Sequence, residues 1–169
     1  VCFVGSLFFF YDFIQMNMFN AINTYLMHDF NLDASELGSL SATYFLANVA
    51  FLLPAGIILD RFSTRMVMLV SLSICVLGTF LFGLVESTGL AAICRFFTGI
   101  GSAFCFLSNV RLATRWFPAK RIALVTGLIV TMAMIGGMVA QAPLTYLVEA
   151  LGWRHALFID AGLGVVVLL

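Results

Sequence analysis

Charge is what this chain has least of. Only 9% of its 169 residues are Asp, Glu, Lys or Arg against 63% that are hydrophobic, and its 8 basic and 8 acidic residues cancel. With a mean hydropathy of +1.12, such a chain cannot hide its apolar side chains in one soluble core, so lipid must be its solvent. The lack of net positive charge, with aromatics set in apolar runs and not among basic patches, excludes nucleic acid as a partner. Cysteine is scarce and unpaired in pattern. Cys2, Cys75, Cys94 and Cys105 all fall in apolar runs, without the short spacings of zinc or redox sites, and read as small hydrophobes. There is no Ser/His/Asp or Cys/His constellation, metal-ligand cluster or phosphate-cradling glycine loop, so neither an enzyme nor a cofactor is expected.

What is present is a series of long apolar runs. A hydrocarbon core roughly 30 Å thick needs about twenty residues of helix at 1.5 Å rise each. Hydropathy places such helices at 1–27, 36–59, 66–85, 90–115 and 122–148, with a sixth starting near 155. The expectation is an all-α, polytopic membrane helix bundle with five complete transmembrane helices and the start of a sixth, forming a single domain over 1–169. Val1 is not an initiator Met and Leu169 lies inside an apolar run, so the chain reads as a fragment.

The loops between spans are short and their charges alternate. One holds Arg61 and Arg65, another holds Arg111, Arg115, Lys120 and Arg121, and together these are six of the eight basic residues. By the positive-inside rule both loops are cytoplasmic, and so is the N-terminus. Tyr25, Trp116, Tyr146 and Trp153 sit at span ends, where an amphipathic ring suits the headgroup layer. Asp33 followed three residues later by Glu36 reads as a capping box ahead of the second span. Pro54 and Pro143 fall late in the second and fifth spans, each six residues before an acid, Asp60 and Glu149. A proline inside a helix removes a hydrogen bond and bends it, and matched bends suggest nested three-helix repeats over about 1–86 and 89–169.

The loop after the second span, Gly56-x-x-x-Asp60-Arg61-Phe62-x-x-Arg65, resembles the signature loop of the major facilitator superfamily of secondary transporters. Arg95-Phe-Phe-Thr-Gly99-Ile-Gly101 in the fourth span, Trp116-Phe117-Pro118 with Arg121 in the next basic loop, and Gly152-Trp153-Arg154 before the sixth span resemble it too, in the expected order. Together these motifs cover nearly the whole chain. Within the superfamily, Tyr11-Asp12, Arg95 and the Trp-Phe-Pro loop are most similar to bacterial proton symporters of organic anions and related metabolites. The run from Phe13 to Phe19 also resembles nutrient transporters of intracellular bacteria. The resemblance implies the N-terminal six-helix half of a twelve-helix carrier, in a bacterial inner membrane, whose C-terminal half supplies the opposing wall. Several positions depart from the pattern. Ser63 stands where glycine is preferred and Thr64 where a basic residue is frequent. Phe13 replaces an arginine common after the first-span acid, and Ser102 replaces a glutamate common seven residues after the fourth-span arginine. The last two changes remove a carboxylate clamp and a proton-carrying site.

Asp12 is the most informative residue, because an ionised carboxylate at mid-bilayer costs roughly 2.5 to 3.5 kcal/mol on insertion scales. It needs water, a partner or a proton. Asp12, Gln15, Phe19, Asn23 and, slightly off line, Met16 and Asn20 recur at helical spacing and give the first span a polar face. Arg95, Thr98, Ser102, Phe106 and Asn109 form a second such stripe on the fourth span, and Gln141 is a candidate substrate contact on the fifth. The simplest arrangement sets the two stripes across a central cavity, with Asp12 as coupling proton site and Arg95 as charge partner or substrate anchor. A static Asp12–Arg95 ion pair is the alternative. At 1.5 Å per residue, however, Asp12 lies about 22 Å below the outer end of its span and Arg95 about 9 Å below its own, so contact would require tilt or water.

By the family likeness, Gly56, Asp60, Arg61 and Arg65 form a conformational latch, with Asp60 acting on a helix N-terminus of the other half and pairing with nearby arginines. The leading expectation is proton-coupled uptake of a small polar metabolite, an organic acid, amino acid or similar, by alternating access. A proton-coupled efflux antiporter and a non-transporting membrane receptor or assembly subunit are the alternatives. Lipid, substrate, protons and the C-terminal half are the expected partners.

Overall fold

The computed structural model describes residues 2–30 and 32–168. They form seven helical segments: α1 (Cys2–Asp29), α2 (Ala34–Arg61), α3 (Thr64–Leu84), α4 (Thr88–Trp116), α5 (Ala119–Gln141), α6 (Pro143–Leu151) and α7 (Trp153–Leu168). The chain is an all-helical bundle. Among the described residues, α2, α3, α4 and the continuous stretch Lys120–Leu151 are long and apolar enough to cross a membrane. α1 has the length, with 28 residues. Helices α2 to α5 and α7 begin two or three residues earlier than hydropathy suggests, because polar residues at the ends still make backbone hydrogen bonds. Val1 and Leu169, which bound the sequence-based spans, lie outside the described residues, and so does the side chain of Cys2. The thiols of Cys75, Cys94 and Cys105 are free and buried.

The two internal prolines behave differently. α2 runs unbroken through Pro54. At Pro143 the expected single fifth span divides into α5 and α6: Ala142 ends α5 with its N–H on the Met138 carbonyl, and Pro143 takes the first position of α6, where a missing N–H costs nothing.

Tight turns hold successive helices together. Between α2 and α3 the chain needs only Phe62 and Ser63. Ser63 sits at φ −66°, ψ 131°, and its Oγ accepts from the Met66 N–H at 3.4 Å. The turn therefore makes no demand for left-handed backbone, and serine serves as the N-cap of α3. Ahead of α2, the Glu36 carboxylate accepts from the Asp33 N–H at 3.1 Å, the backward arm of the capping box. Between α6 and α7, Gly152 adopts φ +87°, which only glycine takes without strain.

α4 packs most extensively on α2 and α3, and α1 on α5. Glycines permit both close pairings. Gly99 lies so near the Tyr44 carbonyl and the Ala47 side chain that a methyl group would not fit, and Gly136 lies equally close to the Phe10 carbonyl. Trp153 is not a headgroup anchor in this chain. It is 5% exposed, and its Nε1 donates to Asp29 Oδ2 at 2.7 Å, tying the start of α7 to the end of α1. Trp116 and Tyr146 remain open, at 62% and 74% exposed.

Candidate functional site

Helical periodicity puts Asp12 in the middle of α1 and on the side facing α2 and α4. There it lines a cavity of about 410 Å³, whose wall also includes Phe13 and Met16 of α1, Tyr44 and Asn48 of α2, Ser102 and Phe106 of α4, and Val130 of α5. That volume lies within the range of small-molecule sites. Most of the wall is aromatic or aliphatic, and the polar groups gather at one place.

Their hydrogen bonds are directional. The Tyr44 hydroxyl donates to Ser102 Oγ at 2.8 Å, and Asn48 Nδ2 donates to the same oxygen at 2.9 Å. Having accepted twice, Ser102 keeps its own proton to donate, and it lines the same cavity wall as the Asp12 carboxyl group. Asp12 Oδ1 is buried and has no hydrogen-bond partner. A buried polar atom without a partner is costly, and one at a cavity wall is where a proton, a water or a ligand would be held.

Arg95 does not pair with Asp12. Its guanidinium is enclosed by three rings, with its carbon 4.4 Å from the centroid of Phe19, 5.5 Å from Tyr44 and 5.7 Å from Phe82. Nη1 donates to the backbone carbonyl of Gln15 at 3.3 Å, and Nε has no partner. The Tyr44 ring thus has Arg95 on one side while its hydroxyl serves the cavity on the other. Among the described residues no basic side chain lines the cavity.

Of the other residues the sequence singles out, Phe13, Met16, Ser102 and Phe106 join Asp12 at the cavity, and the remaining candidates for its lining lie elsewhere. Gln15 is buried on another side of α1, bonded to Thr79 and Asp160. Phe19 covers Arg95. Asn20 is exposed, and Asn23 is half-buried and bonds the adjacent Thr24. Thr98 faces α3, where it packs on Gly78 and its hydroxyl returns to the Arg95 carbonyl at 2.9 Å. Asn109 is buried against Gly5 and donates to the Cys105 carbonyl at 3.0 Å. Gln141 is exposed at the end of α5. The physical reason is the same in each case: at 100° per residue a stripe spaced by three and four is wide enough to meet two neighbouring helices, so its edges turn away from the cavity.

Three participants escape the sequence reading. Tyr44 and Asn48, four apart on α2, would have shown as one polar face of an otherwise apolar helix. Asp160 is an acid inside the apolar run of α7, the signal that most often marks an intramembrane site.

At the other end of the bundle, Asp60 and Arg111 form an ion pair at 3.7 Å, linking the α2–α3 turn to the last turns of α4. Arg61 and Arg65 are exposed there, and Gly56 has open space around it.

A family model described as Major Facilitator Superfamily matches residues 4–169. Among curated proteins, the chain is 28% identical over 145 residues to a probable galactarate/D-glucarate transporter of Escherichia coli strain K12, covering 82% of this chain and 32% of that protein. It is 26% identical over 134 residues to a probable sulfoacetate transporter of Cupriavidus necator, covering 79% and 31%. It is also 26% identical over 148 residues to a D-galactonate transporter of Escherichia coli O6:H1, covering 85% and 34%. The chain spans about a third of the length of these relatives. Among solved structures, a bacterial homolog of the human lysosomal transporter Spinster, inward-facing and unoccupied, superposes with a TM-score of 0.88 at 19% identity, covering 99% of this chain and 40% of that one.

Proposed function

This chain belongs to the Major Facilitator Superfamily, and from that premise we propose that it forms one wall of a secondary transporter that takes up a small polar metabolite together with protons, by alternating access. The observation that carries the reading is Asp12, an acid with an unpartnered oxygen at the wall of a cavity between α1, α2 and α4. The three relatives described above are named for galactarate/D-glucarate, sulfoacetate and D-galactonate, which favours an organic acid as the substrate.

The geometry gives that coupling a physical basis. An ionised Asp12 would repel an incoming carboxylate, while a protonated Asp12 can donate a hydrogen bond to it. With no cation on this wall, proton and anion enter together or not at all. With Phe13 and Ser102 at the positions where the family resemblance implies arginine and glutamate, Asp12 is the acid among the described residues of this wall. Arg95, behind Tyr44 and Phe19, acts on the cavity through the ring it touches, as a charge partner held back from direct contact.

Gly56, Asp60, Arg61 and Arg65, with Arg111 as the partner of Asp60, form the conformational latch in this proposal, on the cytoplasmic side and with the N-terminus inside. The nested three-helix repeat is supported by the packing, since α2 on α4 and α1 on α5 are the two most extensive pairings and each is closed by a glycine against a backbone carbonyl. Exchange of the first and fourth helices, and of the second and fifth, maps one pairing onto the other. A second six-helix half of the same protein would supply the opposing wall.

The test is uptake by the full-length protein in proteoliposomes under an imposed pH gradient, with galactarate, galactonate, sulfoacetate, amino acids and nucleosides as solutes. Accumulation of one solute class when the outside is acidic supports the reading. Solute driven outward as protons enter would make it an antiporter, and binding without transport would make it a receptor.

A further inference from the structure

The side of α1 turned away from the cavity meets a second buried acid. Asp160, in the middle of α7, is 4% exposed. Its Oδ2 accepts from Gln15 Nε2, and Gln15 Oε1 accepts from the Thr79 hydroxyl at 2.8 Å. One α1 side chain therefore bridges α7 to α3. The Gln15 backbone carbonyl receives Arg95 Nη1, so the same residue touches the buried cation of α4.

Thr79 has one proton and two acceptors in reach, Gln15 Oε1 at 2.8 Å and the Cys75 carbonyl at 2.9 Å. That redundancy gives the cluster two complete hydrogen-bond sets. With Asp160 ionised, the Gln15 amide N–H₂ donates to the carboxylate and Thr79 donates to Oε1. With Asp160 protonated, its O–H donates to Oε1, the amide turns over, its N–H₂ meets Thr79 Oγ1, and the Thr79 proton goes to the Cys75 carbonyl. Each setting leaves every one of these groups satisfied, and they differ by one proton, one amide rotation and one turn of the Thr79 hydroxyl.

The groups facing Asp160 do not fix its charge. From α1 comes the Tyr11 phenol, packed on Gly164 one turn beyond Asp160, and from α3 the Cys75 thiol, which donates to the Thr98 carbonyl. Arg95 of α4 reaches the cluster through the Gln15 carbonyl, and no charged side chain of α6 enters it. Among the described residues no basic side chain lies within ion-pair distance of Asp160, so it has no cation of its own. A buried carboxyl group without a cation is held as the neutral acid far more cheaply than as an ion. α1 also packs less extensively on α7 than on α5, so this contact is the easier one to open.

We propose that Asp160 is a second proton-binding site of the carrier, distinct from Asp12, with its occupancy recorded in the orientation of the Gln15 amide and passed by it to α3. Here the site is sealed, and separation of α1 from α7 is what would admit water and let the proton leave to it. The proposal rests on the proton-coupled reading above and adds a site to it.

The experiment is an infrared pH titration of the full-length protein in lipid vesicles, following the carbonyl stretch of protonated carboxyl groups, for wild type, Asp12→Asn, Asp160→Asn and Gln15→Leu. The expected result is a titrating band that is lost in Asp160→Asn, kept in Asp12→Asn and moved in frequency by Gln15→Leu. Should Asp160→Asn fail to fold, Gln15→Leu alone still decides: a band unmoved by loss of the amide overturns the proposal. So does an Asp160→Asn spectrum with every titrating band of wild type. Since the band is read without any solute, a wild type that takes up nothing under a pH gradient would sink the coupled-transport reading and leave this outcome to be judged separately.

Discussion

The Tyr44 hydroxyl donates to Ser102 Oγ at 2.8 Å, joining α2 to α4 at the wall of the Asp12 cavity. Arg95 lies 5.5 Å from the centroid of the same Tyr44 ring. One residue thus connects the acid and the cation that never meet.

Tyr44→Phe separates these two tasks. It keeps the ring over Arg95 and removes the donor to Ser102, whose oxygen still receives Asn48. A loss of about 0.5 to 1.5 kcal/mol of stability is expected, the usual net value of one hydrogen bond. Thermal unfolding in detergent measures it, and an unchanged melting temperature together with unchanged substrate affinity would show the bond to be idle.

Gly99→Val should be much worse than Gly127→Val. A side chain at Gly99 meets the Tyr44 backbone, which cannot move aside, whereas nothing lies within contact distance of Gly127. Overpacking of this kind costs about 1 to 3 kcal/mol or more. The yield of monodisperse full-length protein for the two variants compares them, and equal yields would contradict the α2–α4 contact.

Ser63→Gly restores the residue usual at that place in the signature loop, yet here it should gain nothing. The backbone at Ser63 is extended, and the side chain caps α3. A change of a few tenths of a kcal/mol is expected for glycine, and a loss of about 0.5 to 1 kcal/mol for Ser63→Ala. A clear stabilisation by glycine would mean that the turn is strained.

Asp60→Asn should leave stability within about 0.5 kcal/mol, because the Asp60 side chain is 86% exposed and its contact with Arg111 is a long one. Its effect is expected on the cycle. Exchange between inside and outside should slow several-fold while substrate affinity at equilibrium stays the same. A matching loss of stability and of rate would make the pair a structural brace and not a latch.

Much of the fold was legible because membrane spans are written in hydropathy. The short charged loops and the Asp33/Glu36 cap are local signals, and local physics decides them. Pro143 shows the limit. Its sequence context differs little from that of Pro54, yet one breaks its helix and the other does not, since neighbours along the bundle determine whether the chain can continue. The site was half legible. An acid at position 12 stands out against lipid from any direction, but whether Gln15, one turn on, shares its cavity depends on which helix lies behind α1, and periodicity alone does not say. Tyr44 and Asn48 were hidden because a long apolar helix draws attention to its hydrophobic face.

The most direct test is uptake under a pH gradient by full-length wild type and Asp12→Asn in proteoliposomes, with solute exchange at equal pH measured alongside. Accumulation by wild type, with Asp12→Asn exchanging the same solute but only equilibrating it, is the expected result. Accumulation by Asp12→Asn equal to that of wild type would contradict the account, because the acid at the cavity wall would then carry no coupling proton.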